Sequence, residues 1–444
     1  MKALYKKGKR SLCSNYRPVS LTSIVCKLFE SIIRDNIMSY LESNNLIISQ
    51  QHGFRAGHSC TTQLLELMED FTSYYESGES YDCIYLDFAK AFDRVPHQRL
   101  LTKIYNIGIQ GKIFSWIKIF VCNRLQRVVV NNEQSNWTRV VSGIPQGSVL
   151  GPILFTVFIN DIPIGVQSNI KIFADDTKIY NTITNSAILQ GDLNILSEWS
   201  AKWLMPFNVD KCKIIHYGKN NNQTDYIMNN ILVPKGDTMK DLGITFQSNL
   251  KFDNHISSIT SSANSRLGII KYTFHSIDRE GFLVLYKSMV RPLLEYGTPV
   301  WYPNLKKHER EIETIQRRAT KMINGLGNLS YSDRLKALNL PTLLYRRRRC
   351  DLIQVFKILK NIDHFDIGSI FIYDAGITRK SNQYKLFKPR ATKNMKLNSF
   401  SHRIINDWNE LTNLETGVEN VNAFKAALQK RWEKKSFKFD FLFV

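Results

Sequence analysis

The chain is short of acid. Its 444 residues carry 39 Asp and Glu against 60 Lys and Arg, a formal net charge of +21. So large a cationic excess points to a polyanionic partner, most simply a nucleic acid. A membrane surface fits less well, because no strong basic amphipathic anchor stands out. Cysteine is sparse: Cys13, Cys26, Cys60, Cys83, Cys122, Cys212 and Cys350 are scattered, odd in number and form no C-x-x-C pair. That excludes a zinc ribbon and a disulfide framework and implies a reduced, intracellular setting. Long apolar runs are missing too. The most apolar stretch, 149–159, is interrupted by Gly151 and Pro152 and falls short of the ~20 residues that span a bilayer. Met1 is followed by Lys2-Ala3-Leu4 and a basic tract, with no cleavable apolar region, so nucleus or cytoplasm is expected and secretion is not. Internal repeats and long low-complexity segments are absent. What remains, 43% hydrophobic and 11% aromatic residues, is the composition of a globular protein of roughly two to four domain-sized units.

Strands and helices mix without regular alternation in the first 250 residues, which indicates an α+β fold. Helical spacing places Leu28, Phe29, Ile32, Ile33, Ile37, Tyr40 and Leu41 on one helix, and Ser59 is positioned to cap a second that ends before Gly78. Between them lies the polar loop QHGFRAGHS. A strand over 81–88 is followed by helices near 98–105 and 113–120. Segments 127–130 and 137–141 suggest a hairpin. Ser142–Ser148 is a glycine- and proline-marked loop opening an apolar helix through Ile159. Segment 170–180 reads as a hairpin turning at Ala174–Thr177, 190–203 as a helix, and 209–217 and 241–246 as strands. Beyond about residue 250 the pattern is mostly helical. Between Arg291 and Lys360 there are 15 Lys and Arg and 6 Asp and Glu, including the run Arg346, Arg347, Arg348 and Arg349. Such a segment suits a groove that follows a phosphate backbone, or merely a solvated helix face.

Two acidic segments carry the chemistry, YDCIYLDFAKAFDRVPH from Tyr81 and IKIFADDTKIY from Ile170. Each is an apolar, strand-like run ending in aspartate, and Asp87 and Asp175 lie 88 positions apart. Carboxylates at the ends of buried strands suit hard divalent cations, which take oxygen ligands, and two such ions can clamp the attacking and leaving oxygens of a phosphoryl transfer. The spacing means that the fold, not a local loop, assembles the site. Asp175 and Asp176 would repel each other unless a cation or arginine offset them. SGIPQGS offers backbone N–H groups at a helix start, a place for phosphate or a nucleotide edge, with the Gln146 amide able to position a nucleotide. Taken singly, each of these has a plain reading as a cap, a turn or a glycine loop.

Their order and spacing say more. NYRPVSLTS from Asn15, QHGFRAGHS from Gln51, LDFAKAFDRVPH from Leu86, SGIPQGSVLGPILF from Ser142, FADD from Phe173 and FNVDKCK from Phe207 occur in that sequence. Together they closely resemble the reverse transcriptase of non-LTR, LINE-type retrotransposons of the Jockey/CR1-like group, over about residues 4–360. The resemblance implies a right-hand polymerase with an antiparallel-sheet palm, mixed fingers, a helical thumb and a helical C-terminal extension. It implies fingers over 1–80, a palm over 81–250 with an inserted fingers segment at about 98–141, a thumb and following helical region over 251–345, and a basic extension over 346–444.

It also implies the activity. An RNA-directed DNA polymerase would use two Mg²⁺ ions, with Mn²⁺ as a substitute, an RNA template, a DNA primer or target, and deoxynucleoside triphosphates. By motif match Asp87 and Asp175 are the metal ligands, with Asp176 and the Phe88 carbonyl beside them. Phe92 is the aromatic gate that would collide with a ribose 2′-OH. Gln146 and Gly147 match the nucleotide- and template-contacting loop. Arg17 and Arg55 match basic fingers positions facing template or triphosphate. Lys211 or Lys213 matches a proton donor to pyrophosphate, and Gly243 lies in DLGI, which resembles the primer-side hairpin. Nothing matches the endonuclease that precedes the polymerase in such elements, and the sequence starts close to the fingers, so an upstream portion is expected. The alternative is an inactive, domesticated or truncated nucleic-acid-binding relic of such an element.

Overall fold

Strand β1 (Lys2–Tyr5) pairs antiparallel with β2 (Tyr16–Val19), from Lys2↔Val19 to Tyr5↔Tyr16, in a computed structural model that describes residues 1–6, 8–274, 277–374, 382–433 and 435–441. The chain divides into two units. The first comprises Met1–Ala56, Tyr81–His216 and Asn221–Gly236. At its centre are β3 (Tyr81–Leu86), β4 (Asn169–Phe173), β5 (Asp176–Thr182) and β6 (Lys213–Tyr217), in the order β6-β3-β5-β4. All six residues of β3 are buried, so both faces of this central strand are covered, as in a sheet packed on both sides. The helix Gly151–Ile159 is apolar on every side and almost wholly buried. Its Leu154 and Phe158 join Ile84, Leu86, Ile172, Ile179, Leu193 and Leu196 in one core.

Several local outcomes differ from the sequence reading. The helix expected from Leu28 runs Ile24–Ser43, yet it buries Glu30, Ile37 and Leu41 while Leu28, Phe29 and Ile32 are more than half exposed. Two nested ladders replace the single hairpin near 127–141: Leu125–Gln126 pairs with Thr138–Arg139, and Val129–Val130 with Glu133–Gln134. Asn131 and Asn132 between them have φ of +48° and +68°, the left-handed pair that a tight hairpin needs. The strand read over 209–217 begins instead as a 3-10 turn at Val209–Lys211, and the one read over 241–246 turns back at Leu242 and Gly243.

Asp82 is completely buried on β3. Its carboxylate accepts from Tyr226 Oη at 2.8 Å and Asn221 Nδ2 at 2.8 Å, and bonds His216 Nδ1 at 2.7 Å. Asp82→Ala should therefore cost about 2–4 kcal/mol, because it strands the buried Tyr226 hydroxyl and takes a partner from the half-buried His216 and Asn221. Chemical denaturation checks this, and a loss below about 1 kcal/mol would rule out a structural role for the cluster.

The second unit comprises Gly57–Ser80, Tyr217–Asn220 and Asp237–Val444. Its first helix, Cys60–Ser77, has a reciprocal cap: Ser59 Oγ accepts from the Thr62 N–H, Thr62 Oγ1 accepts from the Ser59 N–H, and Gly78 ends it at φ +86°. Strands β7 (Thr238–Asp241) and β8 (Ile244–Gln247) form a hairpin, and the helices Asp253–Thr273, Lys306–Lys321, Leu343–Leu359 and Val421–Arg431 follow. The expected boundary at 345/346 falls inside the helix Leu343–Leu359, whose N-terminus Thr342 caps. The helix Cys60–Ser77, expected with the fingers, is grouped with this unit. Among the described residues no helix is long and apolar enough to cross a membrane.

Candidate active site

The sheet of the first unit delivers the acidic residues. Strands β3 and β5 pair as far as Leu86↔Thr177, so Asp87 and Asp176 follow one step beyond the last ladder pair. Strands β4 and β5 pair as far as Phe173↔Asp176, leaving Ala174 and Asp175 as a two-residue turn with Ala174 at φ +55°. The two aspartates that are distant in sequence therefore converge at one sheet end. Burial raises the Asp175 carboxyl above the ordinary aspartate range, and the Asp87 charge adds to this, while Arg17 and Lys6 partly offset it. A half-buried acid next to a second carboxylate is a site short of positive charge.

Asp87 Oδ2 meets Lys211 Nζ at 3.3 Å, with both side chains substantially exposed (41% and 59%). A pair so exposed contributes little stability. The 3-10 turn at Val209–Lys211 is what brings Lys211 there, whereas Lys213 lies in β6 with its aliphatic stem against Gly236. The segment after Asp87 is also pinned: the Asp87 carbonyl accepts from the Asn208 N–H at 2.7 Å and the Ala89 N–H donates to Pro206 O at 2.9 Å. Phe88 between them stacks on Phe207 at 4.3 Å.

These residues open onto a cleft of about 1060 Å³ whose wall includes Asp87, Asp175, Asp176, Lys6, Arg10, Arg17, Lys90, Phe92, Gln146, Gly147 and Lys211. Phe92 stacks on Phe155 at 4.4 Å, which fixes its ring. Gln146 Nε2 donates to Asp93 Oδ1 at 2.8 Å, and burial raises the Asp93 carboxyl. Gly147 has φ +96°, and a Cβ there would press on Ser20 O at 3.2 Å.

Other expected site residues stand elsewhere. Arg55 is tied to Glu42 by Nε and Nη2 at 3.2 and 3.1 Å and donates to Ile48 O and Gln51 O. It is an internal brace and does not line the cleft. Gly243 lies in the second unit, at φ +89° in the β7–β8 turn. The arginine run is in the second unit as well, and packing occupies it. Arg346 pairs with Glu295, Nη2 to Oε2 at 2.8 Å; Arg347 is 1% exposed; Arg348 lies over the Phe437 ring at 5.1 Å; and Arg349 donates to Lys425 O. On a helix with both faces in use, consecutive arginines cannot all face solvent.

The sequence reading missed Glu30. Its carboxylate, fully buried, accepts from the N–H groups of Val149 and Leu150 at 2.6 and 3.0 Å. These two amides, just beyond the SGIPQGS loop, are thus occupied from within. The only sequence signal was one acid among apolar neighbours. Gln51 and Asp93 were missed too, since a polar residue in a loop or in the single helical turn Ala91–Arg94 has no periodicity to betray it.

Among the described residues no three His, Cys, Asp or Glu side chains form a ready-made metal cage. Few protein carboxylates, with the remaining positions left to water and phosphate, is the manner in which Mg²⁺ is usually held.

Residues 5–246, over half of the chain, match the family described as reverse transcriptase (RNA-dependent DNA polymerase). The chain belongs to this family. It is 28% identical over 325 residues to "Probable RNA-directed DNA polymerase from transposon X-element" of Drosophila melanogaster, an alignment covering 70% of this chain and 36% of that protein. It is 27% identical over 339 residues to the RNA-directed DNA polymerase from mobile element jockey of the same species, covering 72% and 37%. These comparisons bear out the resemblance to LINE-type reverse transcriptases. The chain spans little more than a third of the length of these relatives. Among solved structures, a telomerase from Candida tropicalis, in complex with a fragment of telomeric RNA, is similar at 12% identity and a TM-score of 0.40, over 75% of this chain and 50% of that one. Every acidic cleft residue lies inside the span that matches the family.

Proposed function

We propose that the chain is an RNA-directed DNA polymerase of a non-LTR retrotransposon, adding deoxynucleotides to a primer 3′-OH on an RNA template. The observation that carries this is the meeting of Asp87 and Asp175 at one sheet end, beside a basic cleft, within the residues that match the family. The first unit then supplies palm and most of the fingers. The second supplies the thumb and the helical C-terminal region, with Gly243 in a primer-side hairpin.

The charge deficit at Asp175 fits a divalent cation. Asp87 and Asp175 would hold it, with Asp176 and the Phe88 carbonyl as further oxygens. Two such ions, Mg²⁺ or Mn²⁺, supply charge to the attacking and leaving oxygens of a phosphoryl transfer when bound. The chain's own groups do the rest. Lys6, Arg17 and Lys90 set a positive field for a triphosphate. Lys211 is the better placed of the two candidate lysines to give a proton to departing pyrophosphate. The fixed Phe92 ring fills the space that a 2′-OH would need.

Gln146 is to position the nucleotide, and Asp93 orients its amide through the 2.8 Å bond. Asp93→Ala should therefore raise KM for deoxynucleotide by about tenfold with a smaller change in kcat, the signature of lost ground-state positioning. Steady-state extension kinetics measure this, and an unchanged KM would show that Gln146 needs no such support.

The deciding test is extension of a DNA primer on an RNA template with Mg²⁺ by the purified chain and by Asp175→Ala. Extension by the chain alone supports the assignment. Equal extension by both rejects the site. Tight, salt-sensitive binding without extension by either would favour a binding relic.

A further inference from the structure

The Asp175 turn is held by a residue from a different part of the chain. Gln51 is 1% exposed. Its Oε1 accepts from the Ala174 N–H at 3.0 Å and from the Gly53 N–H at 2.7 Å. The loop around it adds to the free edge of β4: the His52 N–H donates to Ile172 O at 2.9 Å and the Ile172 N–H to Gln50 O at 3.0 Å. Arg55 braces the loop from behind through Ile48 O and Gln51 O.

Two further observations show that the contact is specific. Gly53 is packed so closely that a Cβ there would stand 2.5 Å from Ala174 N and 2.9 Å from Gln51 Oε1. Gln51 Nε2 is buried with no hydrogen-bond partner among the described residues. A buried, half-satisfied amide costs stability where an apolar side chain would not. The carbonyl end must therefore contribute something that an apolar side chain cannot.

We propose that Gln51 is a positioning residue: its carbonyl fixes the Ala174–Asp175 turn and so sets where the Asp175 carboxylate stands. It touches neither nucleotide nor acid directly and acts through the peptide that precedes Asp175. What the turn then serves rests on the polymerase reading, but the bond that fixes it does not.

The test has a readout that needs no activity. Hydrogen–deuterium exchange over residues 170–177 is compared in the full chain, Gln51→Leu, Gln51→Glu and Gly53→Ala. Gln51→Leu removes the acceptor, and Gly53→Ala pushes the bond apart from the other side. Both should speed exchange there by about tenfold or more. Gln51→Glu retains an accepting oxygen and should exchange within about threefold of the unsubstituted chain. In primer extension the first two should need several-fold more Mn²⁺ for half-maximal rate and lose kcat, with KM for primer–template unchanged. Unaltered exchange in Gln51→Leu or Gly53→Ala overturns the proposal, as does equally fast exchange in Gln51→Glu. If the unsubstituted chain fails to extend primers while the exchange contrast holds, the positioning role stands and the polymerase reading falls.

Discussion

Asp175→Asn should abolish primer extension, by about 10³-fold or more, while leaving the protein folded and slightly harder to melt without divalent metal. The first half follows from the site. An amide of the same shape cannot give a cation the negative charge it needs, and electrostatic contributions of this kind dominate such reactions. The second half follows from the sign of the pKa shift. Burial and the Asp87 charge raise the Asp175 carboxyl in the folded state, whereas an unfolded aspartate titrates near ~3.9. The folded state thus binds this proton more tightly. Its stabilising contribution is complete below the unfolded value and is lost as pH rises through the folded one, so at neutral pH the ionised group opposes folding. Asparagine removes that opposition. Mn²⁺ should correspondingly raise the melting temperature of the unsubstituted chain by mass action and leave Asp175→Asn unmoved. Thermal melts with and without Mn²⁺, alongside extension assays, check both halves. A variant that extends at the parental rate would remove Asp175 from the site.

Phe92→Val should open the cleft to ribonucleotides and lower the discrimination between deoxy- and ribonucleoside triphosphates by roughly 10²-fold, as the ratio of their kcat/KM values. The ring excludes a hydroxyl only because it cannot move aside. Phe155, stacked on it at 4.4 Å with an interplanar angle of 18°, is what prevents that. Phe155→Leu should thus produce a weaker version of the same change without altering any group that faces the cleft. If ribonucleotide use stays at the parental level in Phe92→Val, the sugar is selected elsewhere.

Strand-end chemistry singled out the acidic residues, and the order of the motifs with the resemblance it carries made them one candidate site. The alternation around Ile84–Asp87 and the FADD turn named the carboxylates, and their meeting across β3 and β5 follows from an antiparallel ladder. What escaped were residues whose roles depend on a distant partner. Helical spacing in Ile24–Ser43 identified the helix but not its buried side: Glu30 faces inward to accept at the start of the helix Gly151–Ile159, while Leu28, Phe29 and Ile32 are more than half exposed. An amide left unpaired there would cost about 1–3 kcal/mol, which the inward Glu30 spares. Arg55 looked like a ligand for phosphate and proved to be a clasp for Glu42 and the Gln51 loop. Charge in a motif identifies what a side chain can bind, not whether the fold has already bound it.

The arginine run of the helix Leu343–Leu359 extends that last point to the whole chain. Arg346 is already neutralised by Glu295, and Arg347 is sealed from solvent, so neither can displace ions condensed on a nucleic acid. The count of 60 Lys and Arg therefore overstates how many counterions such a partner would shed on binding. Each cation held inward makes the complex less dependent on ionic strength than composition alone suggests. Its grip on a template would rest more on shape and less on the salt around it.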